Sequence, residues 1–115
     1  MKRQALPPFD RRVSLLGAQV EENDAGETVA TGWNEIAQAR ANYAPVSDGE
    51  RLRAAAVEQK AEARFVVRWS KALAVITGEN RLRFDGTDWR ITEIKEIGRR
   101  RGLEISAWRL KKAGG

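Results

Sequence analysis

From residue 63 onward, apolar and polar side chains alternate through three consecutive runs: Ala63-Arg-Phe-Val-Val-Arg68-Trp69, Arg81-Leu-Arg-Phe-Asp85-Gly86-Thr-Asp-Trp89-Arg-Ile-Thr-Glu-Ile94 and Gly102-Leu-Glu-Ile-Ser-Ala-Trp108. A period of two sends successive side chains to opposite faces of an extended chain, so each run can bury one face of a strand but cannot build the stripe of a helix. Asp85-Gly86 sits where the second run must reverse, and both residue types tolerate the backbone of a tight hairpin. Ile94 and Ile97 fall out of phase with Ile91, which predicts a bulge or a strand end between Thr92 and Lys95. Gly98-Arg99-Arg100-Arg101-Gly102 reads as the charged loop of a further hairpin that returns through Leu103, Ile105 and Ala107. The face shared by these runs predicts a core of Phe65, Val67, Trp69, Leu82, Phe84, Trp89, Ile91, Leu103 and Ile105.

The first half is less regular. Pro7-Pro8 keeps the start extended, so residues 1–9 are expected to form a flexible arm ahead of a single domain over 10–110, with 111–115 a frayed tail. Arg12 to Val20, with Val13, Leu15, Leu16 and Val20, reads as a strand, and the polar stretch Glu21 to Glu27 as the turn after it. From Trp33 to Pro45 the alanine content by itself would favour a helix. The alternation of Ala37, Ala39, Ala41 and Tyr43 against Ile36, Gln38, Arg40 and Asn42 favours a strand with small side chains inward. Ser47-Asp-Gly-Glu50 has the spacing of a capping box, and Leu52, Ala55, Ala56, Gln59 and Ala63 follow at helical intervals. That stripe is nearly all alanine and buries little area, so a helix there would be held weakly to its own core. Ala72 to Ile76 is a short apolar link, one turn of α- or 3₁₀-helix at most. The fold expected is mainly β: a small antiparallel β-barrel, which disposes of strand edges by closure, with a long loop or short helix, residues 46–62, inserted between the second and third main strands.

Composition excludes more chemistry than it suggests. The 115 residues contain no cysteine and no histidine, which removes disulfides, thiolate nucleophiles, thiolate and imidazole metal sites and the usual general base. Carboxylates form no recognisable acid-base motif: Asp85 and Asp88 flank a turn glycine and are assigned to turn formation. Glycine-rich phosphate loops and calcium loops are absent. No catalytic, cofactor or metal residue is therefore predicted, and the chain is not expected to be an enzyme. No run approaches the ~20 apolar residues that span a bilayer, and the first residues lack the apolar core of a signal peptide, so a soluble protein made in the cytoplasm is expected. Lys and Arg number 21 against 16 Asp and Glu, a net charge of +5 that suits an acidic partner, although arginines alternating with apolar residues also describe a solvated sheet face. Trp33, Trp69, Trp89 and Trp108 could stack on bases. Phase places Trp69 and Trp89 in the core instead, and Trp108 over a barrel end or an interface. Arg99-Arg100-Arg101 could clamp phosphate or an acidic protein patch, or simply be a solvated loop.

The order of these features resembles the head-tail joining proteins of tailed phages, also called head closure or stopper proteins. The likeness is carried by the arginine-rich first strand, the Asp-x-Gly turn, Trp33, Tyr43-Ala44-Pro45, Ser47-Asp-Gly-Glu50, Arg68-Trp69, Arg81-Leu-Arg-Phe-Asp-Gly, Trp89-Arg-Ile-Thr-Glu-Ile and Arg99-Arg-Arg-Gly-Leu-Glu-Ile, from about Asp10 to Leu110. The resemblance implies a barrel that assembles as a dodecameric ring beneath the portal and adaptor, retains packaged double-stranded DNA in its channel and offers a surface to tail proteins. It would be found in the virion neck of a phage, prophage or gene-transfer particle after a stage in the host cytoplasm. It also implies that the connection bearing Ser47, Asp48, Glu50, Arg51, Arg53, Glu58 and Lys60 projects into the channel or toward a neighbouring ring. Arg99, Arg100 and Arg101, with Pro7 and Phe9 of the arm, are expected to make subunit or ring contacts. An adaptor or other neck or tail component, and a small barrel binding single-stranded nucleic acid, are the alternatives.

Overall fold

The computed structural model describes residues 6–46 and 61–110. In chain order these form β1 (Arg11–Glu22), β2 (Thr28–Pro45), β3 (Ala63–Arg68), a single helical turn α1 (Lys71–Ala74), β4 (Arg81–Phe84), β5 (Thr87–Ile97) and β6 (Gly102–Arg109). The six strands close into a barrel in the order β1-β2-β3-β6-β5-β4, every neighbouring pair antiparallel. Closure is completed by only three residue pairs, Ser14–Arg83, Leu15–Leu82 and Leu16–Arg81. The expected mainly β barrel is the fold observed.

Alternation builds the interior. Val13 and Leu15 of β1, Ala41 of β2, Ala63, Phe65 and Val67 of β3, Leu82 of β4, Trp89 and Ile91 of β5 and Leu103, Ile105 and Ala107 of β6 form one buried cluster. Leu73 and Ile76, from α1 and the link after it, belong to the same cluster. Ala37 and Ala39 pair with Leu15 and Val13, so small residues on β2 face large ones on β1 and the two strands share one layer of volume. β2 is thus a strand and not the helix that its alanines would favour in isolation. Tyr43, Phe65, Phe84 and Trp89 meet with ring centroids 4.9–6.3 Å apart, in tilted and edge-to-face arrangements.

Irregularities fall where phase breaks. The ladder between β5 and β6 slips between Ile91 and Glu93, so Thr92 bulges and Ile94 faces Ile105 on the core side. The freed Thr92 hydroxyl donates to the Ser106 carbonyl at 3.1 Å. A second slip pairs Leu15 with Ala37 but Leu16 with Glu35, leaving Ile36 as the extra residue, 51% exposed. Asp85 and Gly86 both have positive φ, 54° and 73°, as a two-residue hairpin turn of this hand requires. Asp88 departs from its turn assignment. It stands on β5 directly opposite Arg83 and binds that guanidinium through Nε at 2.6 Å and Nη2 at 3.3 Å, with Arg81 3.8 Å away.

β1 and β2 are longer than the stretches 12–20 and 33–45 expected from hydropathy. Beyond Leu16 on β1 and before Ala41 on β2, these strands lose their outer neighbours and continue only with each other, ending in a turn where the Asn23 side-chain oxygen accepts from the Ala25 and Glu27 amides. A two-stranded ribbon therefore stands out from the barrel, consistent with a longest dimension of 59 Å against 33 and 25 Å for the others. Backbone pairing extends it where neither face is covered, so no apolar alternation announces it in the sequence.

Candidate assembly surfaces

Three surfaces are built by the closure of the barrel. At one end β1 begins, β2 ends, β3 begins, β6 ends and the Asp85-Gly86 turn lies, all around a mouth of 260 Å³ lined by Arg11, Tyr43, Phe84, Asp85, Thr87, Trp89 and Arg109. The Arg109 guanidinium lies over the Trp89 ring at 5.0 Å. Trp89 is buried, and among the described residues no acceptor lies within reach of its indole N–H. From the same end the β2–β3 connection departs and returns. Its base is closed: the Val46 amide donates to the Glu62 carbonyl and the Glu62 amide to the Ala107 carbonyl, both at 2.9 Å, while the Arg109 amide donates to the Glu62 carboxylate at 3.3 Å. Ser47, Asp48, Glu50, Arg51, Arg53, Glu58 and Lys60, and the capping box expected there, lie outside the described residues.

At the opposite end the β5–β6 turn carries Arg99, Arg100 and Arg101. Gly98 and Arg100 have positive φ, 61° and 52°, which folds the turn back tightly enough for the Trp69 amide to donate to the Arg101 carbonyl at 3.1 Å. Arg100 sits over the Trp69 ring at 5.1 Å. Trp69 is accordingly half-buried against the edge of the core and is not one of its buried members: it is the first residue past β3, where no neighbouring strand covers it. Phe84 is half-buried too, at the mouth. The other seven residues assigned to the core are buried.

The third surface is a groove of 520 Å³ whose lining includes Phe9, Ala39, Arg40, Arg68, Trp69 and Leu73. Residues 6–10 run beside it without regular structure. Phe9 lies under the Arg68 guanidinium at 5.4 Å, Pro7 is half-buried, and a Cβ added to Gly102 would come within 3.3 Å of Leu6, so this part of the arm packs on the barrel. Sequence reasoning missed that aromatic rings are paired with the protein's own arginines: Phe9 with Arg68, Trp33 with Arg81, Trp69 with Arg100 and Trp89 with Arg109. Arginines adjoin Trp69, Trp89 and Trp108 in the sequence, but Trp69 and Trp89 are met by Arg100 and Arg109 and not by those neighbours, so the contacts depend on how the chain folds.

Two exposed charges at the root of the ribbon are tuned by hydrogen bonds. Glu35 accepts from the Ser14 hydroxyl at 2.6 Å and from Gln38 at 3.1 Å, which holds its carboxyl below the ordinary 4.5, with Arg83 adding a smaller attraction. Arg83 is held above its ordinary value by the bond to Asp88 and by that carboxylate's charge. Among the described residues no group of three or more acidic side chains is placed to hold a metal ion, and no helix is long and apolar enough to cross a membrane.

A closed six-stranded barrel with ordered turns and one connection rooted at its mouth defines a small structural module. Its sequence matches the phage head completion protein family over residues 5–110, nearly the whole chain, and the chain belongs to that family, whose members are structural proteins of the phage head-tail region. Among solved structures it is similar to protein SF1141 from Shigella flexneri 2a, determined in solution, with a TM-score of 0.70 at 20% identity over 88% of this chain and 92% of that one, a likeness of fold. None of the curated proteins matches it by sequence.

Proposed function

We propose that the protein is a head closure, or stopper, subunit: it assembles as a dodecameric ring under the portal and adaptor, retains packaged DNA and presents the surface to which the tail attaches. Family membership supports a virion component of the head-tail region. The observation that carries the finer reading is the closed base of the β2–β3 connection. Because Val46 and Glu62 are bonded to each other and Glu62 to β6, the root of the connection is held by the barrel itself, independently of what the connection touches on assembly. In this reading Ser47 to Lys60 supply the channel or inter-ring contact, and Arg99 to Arg101 with Pro7 and Phe9 supply contacts between subunits or rings.

Replacing residues 50–60 with a Gly-Ser segment should leave the barrel folded and yield particles that lose their DNA or fail to accept tails. DNA-filled, tail-competent particles from that variant would overturn the assignment of the connection. Electron microscopy of particles locates the ring, and density directly on the portal would make the protein an adaptor instead.

A further inference from the structure

We propose that the β1–β2 ribbon of one copy docks against the Arg99–Arg101 turn of the next copy, so that these two features form the repeating contact of the ring. The inference rests on the homo-oligomeric reading above and adds which surfaces meet.

Among the described residues no further strand pairs with the outer ribbon. Outward of Leu16 its two strands pair only with each other, and such a hairpin is marginal in water unless something covers it. Of the four large apolar residues left exposed among the described ones, three belong to β1 and β2: Val20 at 54%, Val29 at 38% and Ile36 at 51%. Val20 stands opposite Ala30 and Val29 opposite Glu21, so adjacent pairs place an apolar residue on each ribbon face. The root is fixed to the barrel by Arg81 over Trp33 at 4.1 Å and by Asn80 Nδ2 donating to the Leu16 carbonyl at 3.2 Å, which aims the ribbon in one direction.

Charge selects the occupant. Glu21, Glu22, Asp24 and Glu27 are all exposed around the tip, and among the described residues no salt bridge engages any of them, in a chain whose net charge is +5. An acidic tip of this kind is repelled by nucleic acid and attracted by a guanidinium cluster. The chain holds one at the same end of the barrel: Arg99 and Arg101 are exposed, no carboxylate pairs with either among the described residues, and the turn that carries them is fixed by the Trp69–Arg101 bond. Strand order sets the geometry. β1-β2 and β5-β6 are diametrically opposite in the barrel, and the ribbon and the Arg turn leave it at the same end. A contact between opposite sides of identical copies is head-to-tail, and repetition of such a contact closes into a ring when the rotation permits.

The absence of cysteine makes a clean test possible. The full chain carrying Asp24→Cys and Arg99→Cys together should give a ladder of covalent oligomers beyond the dimer with a short bis-maleimide, both in concentrated protein and in assembled particles, whereas either substitution alone should give none beyond the dimer. Glu21→Lys with Glu22→Lys, or Arg99→Glu with Arg101→Glu, should each weaken self-association by about tenfold or more, and the four changes in one chain should recover most of it. Circular dichroism confirms that these surface variants stay folded. A multimer, by mass photometry or in particles, that gives no ladder and is indifferent to both charge reversals overturns this contact and leaves the ring reading standing. A chain that is monomeric in solution and single-copy in particles overturns both.

Discussion

Single residues carry the turns and the charge pattern of this small barrel, and two of them yield direct tests. Gly86 has φ +73°, and an added Cβ would meet nothing within 4 Å, so Gly86→Ala isolates backbone strain from packing. It should cost about 1–2 kcal/mol, measured as a shift of the urea midpoint at unchanged slope. Ser14→Ala removes the strongest hydrogen bond to the Glu35 carboxylate. A depressed carboxyl pKa stabilises the fold above its unfolded value, and that contribution disappears as pH falls through the depressed value. Glu35 of the variant should therefore titrate closer to 4.5 by NMR, and the stability difference from the parent should be present at neutral pH and vanish in acid. Asp88 shows what residue type alone conceals: near a turn glycine it reads as a turn former, yet its place in the ladder makes it the partner of Arg83.

At the scale of elements, β3 and β6 are the middle of the structure and the ribbon is its periphery. β3 and β6 pair along six residues and bring Phe65, Val67, Leu103, Ile105 and Ala107 to the core. The outer ribbon has no such support, and amide protection follows local burial. Hydrogen exchange of the isolated chain should find the amides of Gly17 to Glu22 and Thr28 to Asn34 exchanging well ahead of those in β3 and β6. Equal protection in the isolated monomer would mean that the ribbon is already covered. Strands whose faces divide into core and solvent were legible from alternation, including the alanine strand. The ribbon's full length was not, because backbone pairing without burial leaves no hydropathy signal.

For the whole molecule, closure depends on the shortest strand. β4 has four residues, and Leu82, its one buried side chain, sits at the three-pair seam with β1. Leu82→Ala should cost about 2–5 kcal/mol, a large part of the roughly 5–15 kcal/mol that holds a domain of this size. Loss should show as a lower guanidinium midpoint together with early exchange along β1 and β4. A variant that loses stability while β1 stays protected would mean that the seam is not where the barrel opens first.

Alternation and turn chemistry were enough to establish an antiparallel barrel, because burial of one strand face is a local property written in consecutive residues. The order of motifs along the chain also pointed to the family. Which residues stand across from one another was settled only by folding: Arg83 against Asp88, Arg100 over Trp69, the paired Val46 and Glu62 at the root of the inserted connection, and an acidic ribbon on the far side of the barrel from an arginine turn. Those relations join residues remote in sequence through register and closure, and no local pattern encodes them.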